Sequence, residues 1–328
     1  MQNKNSTQER FFEELKKNIP SNNLLANVLE SSLGISKSEA YNKLKGNSSL
    51  TISQIEFLCN KYNIHFEINP QASTDSCIIK FTPFHTGNMN ISEYMNSLKK
   101  VMEDLCKSGI TKMICATDDI PFYHLFKYPE LAAFKLHFWD NKIIKYKRNQ
   151  ENAIFDFTKA NKKDIRTAFE LHKIYQSIPS VEIWTKSHLL ITIDQIKFAA
   201  ESHILKDKKI GKIFCEQLIE TLKDIESYAI KSSKTENTQT PFDWYSCDVI
   251  GNVTYLAELP KKNICFLRFN TFNSIQSEDE SLCAEVNMWL QSLLNDATGF
   301  SGHGTKHRNA YLQSAIKTCT DLSDMFDQ

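Results

Sequence analysis

Leu24, Leu25, Val28, Leu29 and Leu33 recur at helical spacing, and Gly34 follows them at once. A stripe of that kind asks to be buried, and glycine ends such a helix in a left-handed conformation at least cost. Ser36 then stands as an N-cap, with Glu39 three residues on to close a capping box. Two short helices joined by so tight a turn make a helix-turn-helix, which restricts the N-terminal part of the chain to a small all-α head.

The second helix divides by face. Ala40 and Leu44 lie one turn apart and, with Ile35, pack against the preceding helix. Ser38, Asn42 and Lys45 fall on the opposite side, with Tyr41 on its shoulder. Asn bonds bidentately to adenine, Ser to either base class and Lys to guanine or phosphate, so these types suit a major-groove reader. Lys37 and the 46–49 loop that carries Asn47 are placed for the phosphate backbone. Glu39 is available to cap the helix and to pair with Lys43. The same polar residues also suit an ordinary solvated helix face.

The run from Gly34 to Gly46, followed by 50–64, resembles the Cro/repressor-type (XRE-like) helix-turn-helix of bacterial transcription regulators. In that family the recognition helix ends in a Gly-containing loop, and a further helix leads to a short hydrophobic tail. Thr51 and Gln54 give that further helix its own capping box. The resemblance implies recognition of double-stranded DNA through Ser36, Lys37, Ser38, Tyr41, Asn42, Lys45 and Asn47.

Charge tempers the affinity. Residues 1–70 carry eight Lys or Arg against seven Asp or Glu, and the whole chain balances at 39 against 39. Lys37, Lys43 and Lys45 keep the second helix locally positive, but non-specific binding by one such head is modest. Proteins of this kind present two heads to half-sites about one helical turn apart. A homodimer is therefore expected, built by the rest of the chain.

At 328 residues with 41% hydrophobic composition, the chain has room for the head plus a sizeable core. Residues 1–10 lack the apolar stretch of a signal peptide, and no run is long enough for a membrane span. Nine cysteines form no CxxC pair and mostly sit in apolar runs, as at Cys115 and Cys265. Buried thiols in a reducing compartment account for them, so the expected location is cytoplasmic.

Three parts follow: a head over 1–70, a linker over 71–76, and an effector and dimerisation region over 77–328. The fold class expected is α+β, mixed and helix-rich, with an α/β effector region and a partly antiparallel sheet. Strand patterns at 77–82 and 112–116 flank an amphipathic helix at 91–108, which reads as a β-α-β unit. Helical patterns cover 121–126, 129–139, 161–176, 187–203 and 208–230, and 231–240 has the composition of a mobile loop. Gly251-Asn252 between 244–250 and 253–259 signals a hairpin. A strand at 263–269 and helices at 281–295 and 308–320 complete the chain. That element order is analogous to GAF- or PAS-type sensor domains. Stretches around Asp118, Trp184 and His303 also resemble regulators that join the same kind of head to a large C-terminal region of no known activity.

Candidate chemistry is sparse. Asp118, Asp119 and His124 follow a strand, where they could bind a metal, move a proton or simply cap the next helix. His303 and His307 are four apart, but Gly304 stands where a zinc protease motif needs Glu. Gly302, Gly304, Lys306 and Arg308 at a helix start could hold an anion, or form a plain loop. The aromatic residues from Phe122 and Tyr123 to Trp139 could be core, interface or pocket wall. No Walker, dinucleotide or nucleophile-elbow motif is present.

The expectation is a DNA-binding regulator that performs no reaction and needs no metal or cofactor. A small-molecule effector would contact Asp118, Phe122, Tyr123, His124, Trp184, His303, Lys306 or Arg308. An enzyme delivered by the head and using Asp118, Asp119 and His124 is the alternative, and a protein-interaction module without DNA binding is another.

Overall fold

The computed structural model describes residues 7–19, 24–62, 64, 66, 77–84, 86, 89–144, 154–185, 190–236, 240–248 and 252–327. The expected linker at 71–76 and the turn residue Gly251 lie outside them. The chain divides into two compact units, Met1–Ser76 and Cys77–Gln328.

The first unit is all helical: α1 (Thr7–Asn18), α2 (Leu25–Leu33), α3 (Lys37–Leu44) and α4 (Ile52–Tyr62). Gly34 adopts φ +65° and its N–H bonds Glu30 O at 3.0 Å, ending α2 as its position demands. Ser36 Oγ accepts from Glu39 N at 3.2 Å, and Thr51 and Gln54 form a reciprocal box at the start of α4. Phe11, Leu15, Leu29, Ala40 and Leu58 are fully buried and form the centre of the head core.

The second unit is an eight-stranded sheet with helices on both faces, in an α+β fold. The strands are β1 (Lys80–Phe81), β2 (Lys112–Thr117), β3 (Ser180–Trp184), β4 (Phe242–Ser246), β5 (Thr254–Glu258), β6 (Asn263–Phe269), β7 (Asn273–Ser277) and β8 (Thr298–Gly299). They lie in the order β1-β7-β6-β5-β2-β3-β4-β8. β2, β3 and β4 run parallel, and every other pairing is antiparallel.

Three expectations change here. β1 pairs with β7 at the sheet edge, so it forms no β-α-β unit with β2. The parallel steps are instead β2 to β3 and β3 to β4, each crossing through helices as parallel strands require. β4 and β5 are separated by two strands, so 244–259 is no hairpin. β3 gave no strand signal because Glu182 interrupts its apolar run. A parallel core of three strands also departs from the sensor-domain analogy.

Alternation along the strands sorts the two faces. Ile114, Ala116, Ile183 and Leu256 pack under α11 (Glu280–Asp296). Met113 and Ala257 face the other layer with α5 (Ile91–Lys107), α7 (Pro129–Trp139) and α8 (Lys162–Gln176). Trp184, Phe242 and Trp244 meet α9 (Leu190–Glu201), α10 (Lys209–Lys231) and α12 (Thr305–Asp324). Short α6 (Phe122–Leu125) directly follows the turn after β2.

Candidate nucleic-acid interface and effector cavity

On α3 the two faces separate as the residue types require. Ala40 is fully buried, whereas Ser36, Lys37, Ser38, Tyr41, Asn42, Lys45 and Asn47 are all exposed. Lys43 differs from the reading that counted it toward the positive surface. It is buried, donates from Nζ to Ser49 O at 2.8 Å and lies 3.9 Å from Glu39 Oε1. Only Lys37 and Lys45 of the three cations are exposed. Gln8 of α1, unmarked by any motif, pins the loop after α3. Its Nε2 donates to Lys43 O and Ser48 O at 2.8 and 3.0 Å, and its Oε1 accepts from Leu50 N at 2.6 Å.

In the second unit a cavity of about 140 Å³ opens beside the carboxyl end of β2. Tyr94, Met102, Trp139, Tyr255 and Phe272 supply its apolar wall, with Phe122 and Tyr123 among the lining residues. Trp139 and Phe272 stack with ring centroids 4.4 Å apart.

The polar side of the cavity comes from residues distant in sequence. Asp118 receives two parallel N–H donors from Arg268, Nη1 at 2.8 Å from Oδ1 and Nη2 at Oδ2. Asp119 Oδ2 accepts from Thr192 Oγ1 at 2.6 Å. Lys135 Nζ donates to Thr192 Oγ1 at 3.1 Å and to Gln195 Oε1 at 2.7 Å. Burial pushes the Asp119 carboxyl up, against the pull of Lys135 and Thr192. Burial also pushes Lys135 down, against the opposing charge of Asp119. Neither aspartate caps α6, whose N-cap is Pro121 with no side-chain bond, so the capping reading gives way to these pairings.

His124 and Trp184 belong to a different network, centred on fully buried Glu182. Glu182 Oε1 accepts from His124 Nε2 at 2.8 Å and Tyr175 OH at 2.7 Å, and Oε2 accepts from Trp184 Nε1 at 3.0 Å. Lys234 completes it, donating to Tyr175 O at 2.7 Å with its Nζ 4.0 Å from the Tyr175 ring centroid. Burial raises the Glu182 carboxyl, but His124, Lys234 and Tyr175 outweigh it and hold the group below its usual range. Burial pulls Lys234 down to about 7, against the opposing charge of Glu182. Lys234 is 4% exposed, so this part of the 231–240 segment is docked, contrary to its loop composition.

Among the described residues, Asp118 and Asp119 therefore do not share a hydrogen-bond network with His124. His303 and Lys306 are exposed near the start of α12. Arg308 is buried and donates to Phe300 O at 2.6 Å, which gives it the task of holding the preceding loop rather than facing an anion. Among the described residues, no group of three or more His, Cys, Asp or Glu gathers as metal ligands. No helix among them is long and apolar enough to cross a membrane.

Sequence reasoning missed Lys135, Thr192, Gln195, Glu182, Lys234 and Arg268. Two carried a signal: Lys135 stands in the wholly buried run 131–136 of α7, and Glu182 in the middle of an apolar strand. A charged residue at such a position must have partners.

No family model matches the chain, and no curated protein matches it. Among solved structures the chain is similar to TrmBL2, an archaeal chromatin protein whose structure shows a novel mode of DNA binding. The identity is 12%, over 83% of this chain and 69% of that one, with a TM-score of 0.27. A likeness at that score carries no argument about fold or function.

Proposed function

We propose that the protein is a sequence-specific, double-stranded-DNA-binding transcription regulator of the Cro/repressor (XRE-like) type. Residues 1–70 form the reading head, and 77–328 form an effector unit that binds a small molecule and joins two copies. The observation that carries the reading is the division of α3, with Ala40 fully buried while Ser38, Tyr41, Asn42 and Lys45 are exposed. Helices present such a row of groove-reading types to base edges from one face.

The homodimer follows from charge: a head with a net of about one positive charge gains little from phosphate contacts alone, and two heads restore affinity. Free cysteines, six of them buried, support a cytoplasmic setting. The effector unit has a binding role here and catalyses no reaction; its cavity is the place where a ligand would shift the spacing of the heads.

Replacing Asn42 and Lys45 together with Ala removes the two groups best suited to read bases. Specific DNA binding by the double variant is expected to disappear while circular dichroism stays native. A folded double variant that binds its site as tightly as the parent would sink the assignment.

A further inference from the structure

The cavity beside β2 has a polar atom left over. Asp119 Oδ2 is taken by Thr192, but Asp119 Oδ1 is buried and has no hydrogen-bond partner among the described residues. Asp119 is one of the residues that line the cavity, and buried acceptors are satisfied in folded proteins with few exceptions, so this oxygen calls for a donor from outside the chain.

The other charged groups at the cavity are occupied. Both oxygens of Asp118 are held by Arg268, and Lys135 donates to Thr192 and Gln195 while its Nζ stands 5.7 Å from the Trp139 ring centroid. Two acids and two bases thus balance within the site. An anionic ligand would face Asp119 with the Arg268 fork already engaged. A cationic one would leave an uncompensated charge out of water beside Lys135 and Arg268. The remaining surface is aromatic, and the volume is close to the roughly 150 Å³ of an engineered cavity that accepts benzene.

We propose that this cavity binds an uncharged, single-ring aromatic molecule bearing one O–H or N–H donor, which it directs to Asp119 Oδ1 while the ring packs among Tyr94, Trp139, Tyr255 and Phe272. This rests on the reading of 77–328 as a ligand-binding unit and is independent of DNA recognition by the head.

The test is calorimetric titration of the full-length protein, without DNA, using phenol, toluene, benzoate and benzylammonium. Phenol and toluene have nearly the same shape and differ in the donor. Phenol is expected to bind at millimolar concentration or below, toluene at least about tenfold more weakly, and the two ions more weakly still. A folded Asp119→Ala variant should close the gap between phenol and toluene, and Leu98→Trp, which fills the cavity, should remove binding of both. Toluene binding as tightly as phenol, an ion binding best, or no binding of any probe would each overturn the proposal. Because DNA is absent, none of these outcomes depends on whether the head reads a site.

Discussion

Arg268 on β6 reaches past β5 to grip Asp118 at the end of β2, with Nη1 2.8 Å from Oδ1 and Nη2 on Oδ2. The fork ties two non-adjacent strands together at the cavity. Its side chains are 25% and 27% exposed, so it lies between a solvated surface pair and a buried one. Arg268→Ala is expected to cost about 1–2 kcal/mol of stability in the second unit, and Arg268→Lys to recover only part of it, since ammonium cannot make the bidentate contact. Denaturant unfolding followed by tryptophan fluorescence checks this, because all four tryptophans lie in that unit. An unchanged midpoint in Arg268→Ala would contradict it.

Glu182 is the more severe position. Replacing it with Leu leaves Lys234 buried without its countercharge and takes the acceptor from His124, Tyr175 and Trp184. A loss of roughly 3–5 kcal/mol is expected. Glu182→Gln keeps an acceptor and should cost less. Equal losses in the two variants would mean that charge plays no part in the network.

Much of the head was legible because its elements are fixed locally. Gly34 and Ser36 act on their own neighbours, and Thr51 closes its box with Gln54 three residues away. The cavity was legible only in part. Asp118, Asp119 and Trp139 lie in recognisable segments, but their partners Arg268, Thr192 and Phe272 arrive through long-range pairing that no short pattern encodes. The antiparallel edge misled for the same reason: a strand pattern at 77–82 gives no sign that its partner is β7. Charged residues inside apolar runs, Lys135 and Glu182, were the readable clues to the buried networks.

His172 sets an acid limit. Its Nδ1 donates to Tyr123 O at 3.0 Å, and burial lowers its pKa from 6.5 to about 4. Between those values the unfolded chain takes up a proton that the folded one refuses, so stability falls as pH falls from 6.5 to about 4. The full effect is roughly 3 kcal/mol at most. His172→Gln should flatten the slope of stability against pH between 6.5 and about 4. An unaltered slope in a folded variant would remove His172 as its source.

Gln8 offers a test confined to the head. Its side chain holds Leu50 N at 2.6 Å, the Lys43 carbonyl in the last turn of α3 and the Ser48 carbonyl in the loop that follows. Gln8→Ala should speed amide exchange at Leu50 about tenfold or more, in line with a lost hydrogen bond to a buried group. Specific DNA binding should weaken with it, since Asn47 sits on that loop. Unchanged exchange would show that the loop is held by Lys43 alone.

The most direct test of the regulator reading is selection of the full-length protein on a random-sequence DNA pool at near-physiological salt. An enriched inverted repeat is expected, with half-sites about one helical turn, roughly 34 Å, apart. The folded Asn42→Ala/Lys45→Ala variant is expected to enrich none. Retention of no motif by the folded wild-type protein, or the same motif from the double variant, would contradict that reading.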